Sequence, residues 1–267
     1  MRATSTLLVV FALIVIGACG SRDEPQFRPR AAAQGRPPAS AQERAPVTTT
    51  ARPMPPPAPP PTPPSPAPSA ALSPADARLM SPSALTARAP ATFTVELTTT
   101  EGIVRLDVTR AWSPNGADRF YNLVTNGFYT DVAFFRVIDG FMAQCGIHGN
   151  PAVAAAWSHA SIADDSTEGA QHNTRGTVSY AMGGPGSRTS QFFINLVDNT
   201  RLDGMGFTPF ARVRDADMAH VDALFHGYGE GAPAGHGPTQ GRIQGEGNTY
   251  LHAEFPELDY IRSARVM

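Results

Sequence analysis

Phe135-Arg136-Val137-Ile138-Asp139-Gly140-Phe141-Met142-Ala143-Gln144-Cys145-Gly146 decides how this chain is read. Residues 133–138 have the aromatic and β-branched content of a strand. Side chains alternate across an extended chain, so on a straight path Phe141 would face away from Met142 and Gln144. The three share one surface only if the chain bends at Gly140. A second stretch, Arg175-Gly176-Thr177-Val178-Ser179-Tyr180-Ala181-Met182, leads through a Gly-Pro-Gly loop into Ser190-Gln191-Phe192-Phe193-Ile194-Asn195. Strands are predicted over 177–181 and 191–196. The period of two puts Gln191 and Phe193 on one face and Phe192 and Ile194 on the other, one pair for a groove and one for a core. Taken singly, Arg136 reads as a solvated strand arginine and the phenylalanines as core.

Working outward, Phe93, Val95 and Leu97 alternate with Thr94 and Glu96, and Glu101-Gly102 turns the chain into Ile103-Val104-Arg105-Leu106, a hairpin signature. Ser113-Pro114 opens a helix in which Ala117, Phe120, Leu123 and Val124 share a face, closed by Asn126-Gly127. A further strand is predicted over 210–213 and a second helix over 217–224. The glycine- and proline-rich run 227–241 reads as a flexible surface loop. Many short strands with few helices give a mainly β fold, a barrel or a sandwich.

The two long stretches, in order, resemble the signatures of the cyclophilin-type peptidyl-prolyl cis-trans isomerases. A third, Arg201-Leu202-Asp203-Gly204 through Phe207 to Phe210, is similar to the segment that closes the pocket in that family. The resemblance spans roughly residues 92–261. It implies a closed eight-stranded antiparallel β-barrel with a helix over each end, and a groove on its outer face. It also implies roles. Arg136 would act on the proline nitrogen, with Gln144 holding the substrate carbonyl and steadying Arg136. Phe141, Met142, Phe193, Leu202 and Phe207 would cup the proline ring, and Ala181, Met182 and Gln191 would meet the backbone before it. No cofactor is implied, and the chain is expected to be a monomer.

Such a reaction needs no nucleophile and no base. Twisting a peptide bond costs roughly 18–20 kcal/mol because it breaks the delocalisation of the nitrogen lone pair. A donor that engages the nitrogen only when that lone pair returns stabilises the twisted state selectively. The chain departs from the family pattern at Arg201, where many members carry tryptophan, at Gly206 or Phe207 in place of a common histidine, and at Met182 in place of asparagine. These changes put cyclosporin-type inhibitor binding in question, while Arg136, Phe141, Gln144 and Phe193 remain. The rival reading is a cyclophilin-like module that binds proline-containing segments without turnover. The 7 histidines form no spaced metal-binding pair, and Gly184-Pro185-Gly186-Ser187 is no hydrolase elbow.

The N-terminal part has a different composition. Arg2, an apolar run from Leu7 to Ile16 and the small residues Gly17-Ala18 read as a secretory signal. That run is shorter than the roughly 20 residues a membrane-spanning helix needs. Ile16-Gly17-Ala18-Cys19 resembles the lipobox of bacterial lipoproteins, so residues 1–19 are expected to be a signal peptide with Cys19 lipidated. A lipidated Cys19 leaves Cys145 without a disulfide partner, since the chain has only 2 cysteines. Residues 20–90 are expected to be a disordered proline-rich tether, in which 53–68 form a semi-rigid rod of roughly 50 Å, and 91–263 the isomerase domain. The resemblance to bacterial lipoproteins, with Gly20 rather than aspartate after Cys19, implies an extracytoplasmic anchor on the periplasmic face, at the outer membrane more than the inner one. A net charge of -2 gives no reason to expect nucleic acid. Every one of the 21 cationic residues is arginine, which excludes lysine Schiff-base chemistry and a Walker-type phosphate loop.

Overall fold

The computed structural model describes residues 72–267. Cys19, the signal peptide and the rod at 53–68 lie outside the described residues. Within the described residues, structure is already present ahead of the expected boundary at 91. Helix α1 (Pro74–Leu79) is capped by Ser73, whose Oγ accepts the Asp76 amide at 3.0 Å. Leu79 is buried, and its carbonyl accepts the Trp157 indole N–H at 2.8 Å. Further on, Asn122 brackets Ala87 through both its amide N–H and its carbonyl, at 3.0 and 2.7 Å. One short helix and a few backbone bonds leave no apolar period in the sequence, so this segment reads as tether.

Strands β1 (Thr92–Thr99) and β2 (Gly102–Thr109) form the expected hairpin, with Val95 opposite Leu106 and Leu97 opposite Val104. Helix α2 (Pro114–Thr125) buries Ala117, Phe120, Leu123 and Val124 as its pattern requires. Its start is capped differently from expectation. Ser113 makes no cap bond of its own; Asp165 instead accepts the Asn115 and Gly116 amides at 2.9 and 3.0 Å. The strand expected over 133–138 is broken into β3 (Val132–Ala133) and β4 (Arg136–Ile138), followed by β5 (Met142–Cys145). Then come α3 (Pro151–Trp157), β6 (Thr177–Tyr180), β7 (Phe192–Asn195), β8 (Pro209–Val213), α4 (Met218–Asp222), α5 (Gln240–Glu246), α6 (Asn248–Glu254) and β9 (Tyr260–Val266).

Among the described residues the strands form one sheet of nine in the order β3-β9-β1-β2-β8-β6-β7-β5-β4, every pairing antiparallel. It is a curled half-barrel whose ladders leave it open between β3 and β4, not the closed eight-stranded barrel expected. The break falls at Phe134-Phe135. Phe134 packs into the main core and donates its amide to the Asp259 carbonyl at 2.8 Å, whereas Phe135 packs into a second cluster with Ile243, Tyr250 and Leu251. One straight strand could not serve both clusters while pairing with β9 at one end and β5 at the other. Helix α2 packs on β8 and β9, and α4 on β2. The helix expected over 217–224 is shorter than anticipated. A helical layer of α3, α5 and α6, not expected from the sequence, covers Phe135. Among the described residues no helix is long and apolar enough to cross a membrane.

His148 ties α1 to α3. Its buried ring lies 5.2 Å from the Phe128 ring, its Nδ1 accepts the Asn150 amide at 3.0 Å, and its Nε2 stands 3.7 Å from Asp76. Burial lowers its pKa, with Asp76 opposing the shift. The unfolded chain therefore binds the proton more readily, and stability falls as pH drops through the ordinary histidine range, near 6.5. The urea midpoint should fall between about pH 7.5 and about pH 5.5, and fall less in His148→Gln.

Candidate active site

The β4–β5 hairpin organises the site. Gly140, at φ +65°, makes the bend that the sequence demanded, and the Phe141 amide closes it on the Ile138 carbonyl at 3.0 Å. Register then aligns side chains in a row. Arg136 sits opposite Gln144 across β4 and β5, and Gln144 opposite Phe193 across β5 and β7. On β7, Phe192 and Ile194 go into the main core while Phe193 goes to the other face.

That other face carries a small apolar cluster of Met142, Phe193 and Leu202, with Ile138, Phe141, Ala181 and Phe207 packed against it. A 3₁₀ turn over Thr200–Met205 delivers Leu202 and leads into Phe207. The Phe207 ring meets Phe193 edge-on, with centroids 5.7 Å apart. Two buried amides fix these loops: Asn199 Nδ2 donates to the Phe141 carbonyl, and Asn173 Nδ2 to the Phe207 carbonyl, each at 2.8 Å. Phe193 is only 4% exposed, while Phe141 and Phe207 are half-buried, so the cluster reaches the surface at these two rings.

The Arg136 guanidinium stands at its edge. Its carbon is 6.0 Å from the Phe141 ring centroid, and its Nη1 donates to Gln144 Oε1 at 3.0 Å and lies 3.9 Å from the Met142 sulfur. Gln144 Nε2 donates to Gln191 Oε1 at 2.9 Å, and Gln191 in turn to Gln240 at 3.2 Å. Met182 lies over Gly206, where a Cβ would come 3.2 Å from its terminal methyl. Arg201 lays its guanidinium 4.8 Å from the Phe141 ring, a cation–π contact on the rim of the cluster. Arg136, Gln144, Phe141, Met142, Ala181, Met182, Gln191, Phe193, Leu202 and Phe207 thus meet on one surface. Beside Gln191 a polar cavity of about 140 Å³ continues the surface between His148, Ser187, Thr189 and Gln244. Among the described residues no group of three or more His, Cys, Asp or Glu side chains is placed to hold a metal ion.

Sequence reasoning missed Glu230. Its carboxylate takes the Arg136 Nε–H at 2.7 Å and an Nη2–H at 2.6 Å, and the Gly231 amide at 2.8 Å. The hydrogen bonds from Arg136 hold this carboxyl below the ordinary glutamate range. The 227–241 run folds back on itself, closed by Gly237 N–H to the Glu230 carbonyl at 2.8 Å and Ala232 N–H to the Gly237 carbonyl at 3.0 Å. Glu230 carries the only acidic group in that run, the one signal available in the sequence.

Residues 94–240 match the family model described as cyclophilin type peptidyl-prolyl cis-trans isomerase. A peptidyl-prolyl cis-trans isomerase-like 1 protein of Rhizopus delemar is 35% identical over 122 residues, covering 45% of this chain and 73% of its own length. The isomerase cyp18 of Streptomyces antibioticus is 32% identical over 150 residues, covering 54% and 89%. Among solved structures, a cyclophilin type isomerase of Cryptosporidium parvum superposes with a TM-score of 0.50 at 18% identity, over 66% of this chain and 98% of its own, a likeness of fold. The family match spans the hairpin that carries Arg136 and the strand that carries Phe193, and with it the chain belongs to the cyclophilin-type peptidyl-prolyl cis-trans isomerases.

Proposed function

We propose that this chain catalyses cis-trans isomerisation of X-Pro bonds in extracytoplasmic proteins, assisting their folding, from a lipid anchor at Cys19. The observation that carries the catalytic reading is the Arg136 guanidinium, fixed at the edge of an apolar cup formed by Phe141, Met142, Phe193, Leu202 and Phe207. A proline ring seated in that cup would bring its nitrogen within reach of the guanidinium. In the planar amide the nitrogen lone pair is delocalised and accepts nothing; as the bond twists the lone pair localises and the donor engages it. The interaction grows toward the transition state, so it raises turnover rather than ground-state affinity. Gln144, held between Arg136 and Gln191, offers its side-chain amide to the substrate backbone, and Ala181, Met182 and Gln191 flank the path of the residues before proline. The apolar walls also disfavour the polar planar amide relative to water.

A refolding protein limited by a prolyl bond, slow over tens to hundreds of seconds when unassisted, should have that phase accelerated by the full chain; an unchanged slow phase would refute the reading. Lipidation predicts that Cys19→Ala moves the protein from the membrane to the soluble fraction with catalysis intact. Persistent membrane partitioning would refute the anchor alone.

A further inference from the structure

We propose that Glu230 is a positioning residue for Arg136, a second clamp that fixes the plane of the guanidinium so that its remaining donors meet the twisted amide. The proposal rests on the isomerase reading above. A guanidinium has five N–H donors in one rigid plane. Glu230 takes the Nε donor and one on Nη2, and Gln144 takes one on Nη1. One donor on each terminal nitrogen is left. Gln144 and the weak Met142 sulfur contact both engage Nη1, and contacts at that one nitrogen would leave the group free to swing about its long side chain. The two-pronged contact on the opposite edge removes that freedom.

The loop is shaped to deliver the carboxylate. Its backbone folds so tightly around Glu230 that a Cβ at Gly235 would overlap the Glu230 carbonyl oxygen, and one at Gly237 would stand 2.9 Å from it. The Gly231 amide holds the carboxylate from its own side, so three donors converge on it. A cavity of about 230 Å³ lies beside the pair, lined by Phe135, Pro238 and Gln240, which leaves no other charged side chain on that wall.

A carboxylate at this point also opposes the charge that Arg136 offers the substrate. Which effect wins follows from exposure. The side chains are 24% and 37% exposed, so water screens the opposing field. Orientation has no such relief, and a misplacement of about 1 Å can cost roughly 100-fold in rate. Clamping therefore outweighs neutralisation.

The test measures cis-trans exchange of an X-Pro peptide by the full chain, with solvent exchange of the Arg136 Nε–H followed by nitrogen NMR. Glu230→Ala should lower kcat about tenfold with KM nearly unchanged, and Glu230→Gln, which keeps one acceptor and the shape, should fall between. Both should speed Nε–H exchange. In an Arg136→Ala background Glu230→Ala should cost nothing further, because the residue acts only through the arginine. Activity in Glu230→Ala equal to or above the parent, or an equal loss in both backgrounds, would overturn the proposal. Should the parent chain show no turnover, the isomerase reading fails by itself, and the Nε–H exchange still decides whether the clamp exists: equal exchange in parent and variants would eliminate it.

Discussion

Arg136→Ala should lower kcat for X-Pro exchange by about 100- to 1,000-fold, the scale on which removal of a single transition-state donor is felt, while peptide affinity changes only a few-fold. The asymmetry follows from where the guanidinium acts. It stands at the edge of the cup, 6.0 Å from the Phe141 ring, and not in the floor made by Met142, Phe193 and Leu202. The floor binds the ring in both isomers alike, whereas the arginine meets a partner only when the nitrogen has regained its lone pair. Arg136→Lys should recover little, since an ammonium keeps the charge but lacks the planar fork that Gln144 and Glu230 grip from two sides. The fold should tolerate both changes, because Arg136 is partly exposed and the vacated Glu230 carboxylate can turn to water. Parallel measurement of kcat by exchange NMR, peptide affinity by calorimetry and the urea midpoint separates these effects.

Asp165→Ala is expected to give the largest loss of stability, about 3–5 kcal/mol. Its carboxylate is 3% exposed and its partner Arg188 is 2% exposed, joined at 3.0 Å. The same two oxygens receive the first amides of α2, and Ser113 donates its hydroxyl as well. Removing the acid leaves a buried guanidinium with Asp164 and the Ala163 carbonyl as its remaining anionic and carbonyl partners, and uncaps a helix, itself worth about 1 kcal/mol. The pair Arg175–Asp222, of similar length at 2.6 Å but with both side chains exposed above 40%, serves as the contrast. Asp222→Ala should cost less than about 1 kcal/mol. Urea unfolding of the two variants checks the ranking, and equal losses would contradict this assignment. Asp165→Ala combined with Arg188→Met should recover part of the deficit, because it removes a buried charge left with only the half-exposed Asp164 as counterion.

Local order made part of this molecule readable from its sequence. Alternation of Phe93, Val95 and Leu97 determines the first hairpin, and the spacing of Ala117, Phe120, Leu123 and Val124 the buried face of α2. The site was legible because its residues sit in three short stretches, and the conflict of parity at Phe141 located the bend at Gly140. What was hidden depends on distance along the chain. Asp165 caps a helix from 49 and 50 residues away, and Glu230 reaches Arg136 across 94. No local period encodes either.

Burial on two sides explains the remaining differences. Phe134 and Phe135 look like one more alternating pair, but they enter different clusters and split a strand. Helix α5 buries only Ile243 and contains two glycines besides, so it carries no helical stripe to detect. The segment from Pro74 to Ala89 sits in composition typical of a tether and is held by few contacts, chiefly Leu79 against Trp157 and Ala87 against Asn122. Low complexity in the neighbouring sequence masks such docking.

The most direct measurement is exchange spectroscopy on an X-Pro peptide at substoichiometric amounts of the full chain. Arginine at the edge of the cup predicts cross-peaks between the cis and trans resonances at an unchanged isomer ratio, and their disappearance in Arg136→Ala although that variant still broadens the peptide signals. Broadening without exchange in the parent chain would mean that the cup merely holds proline, and the catalytic account would be wrong.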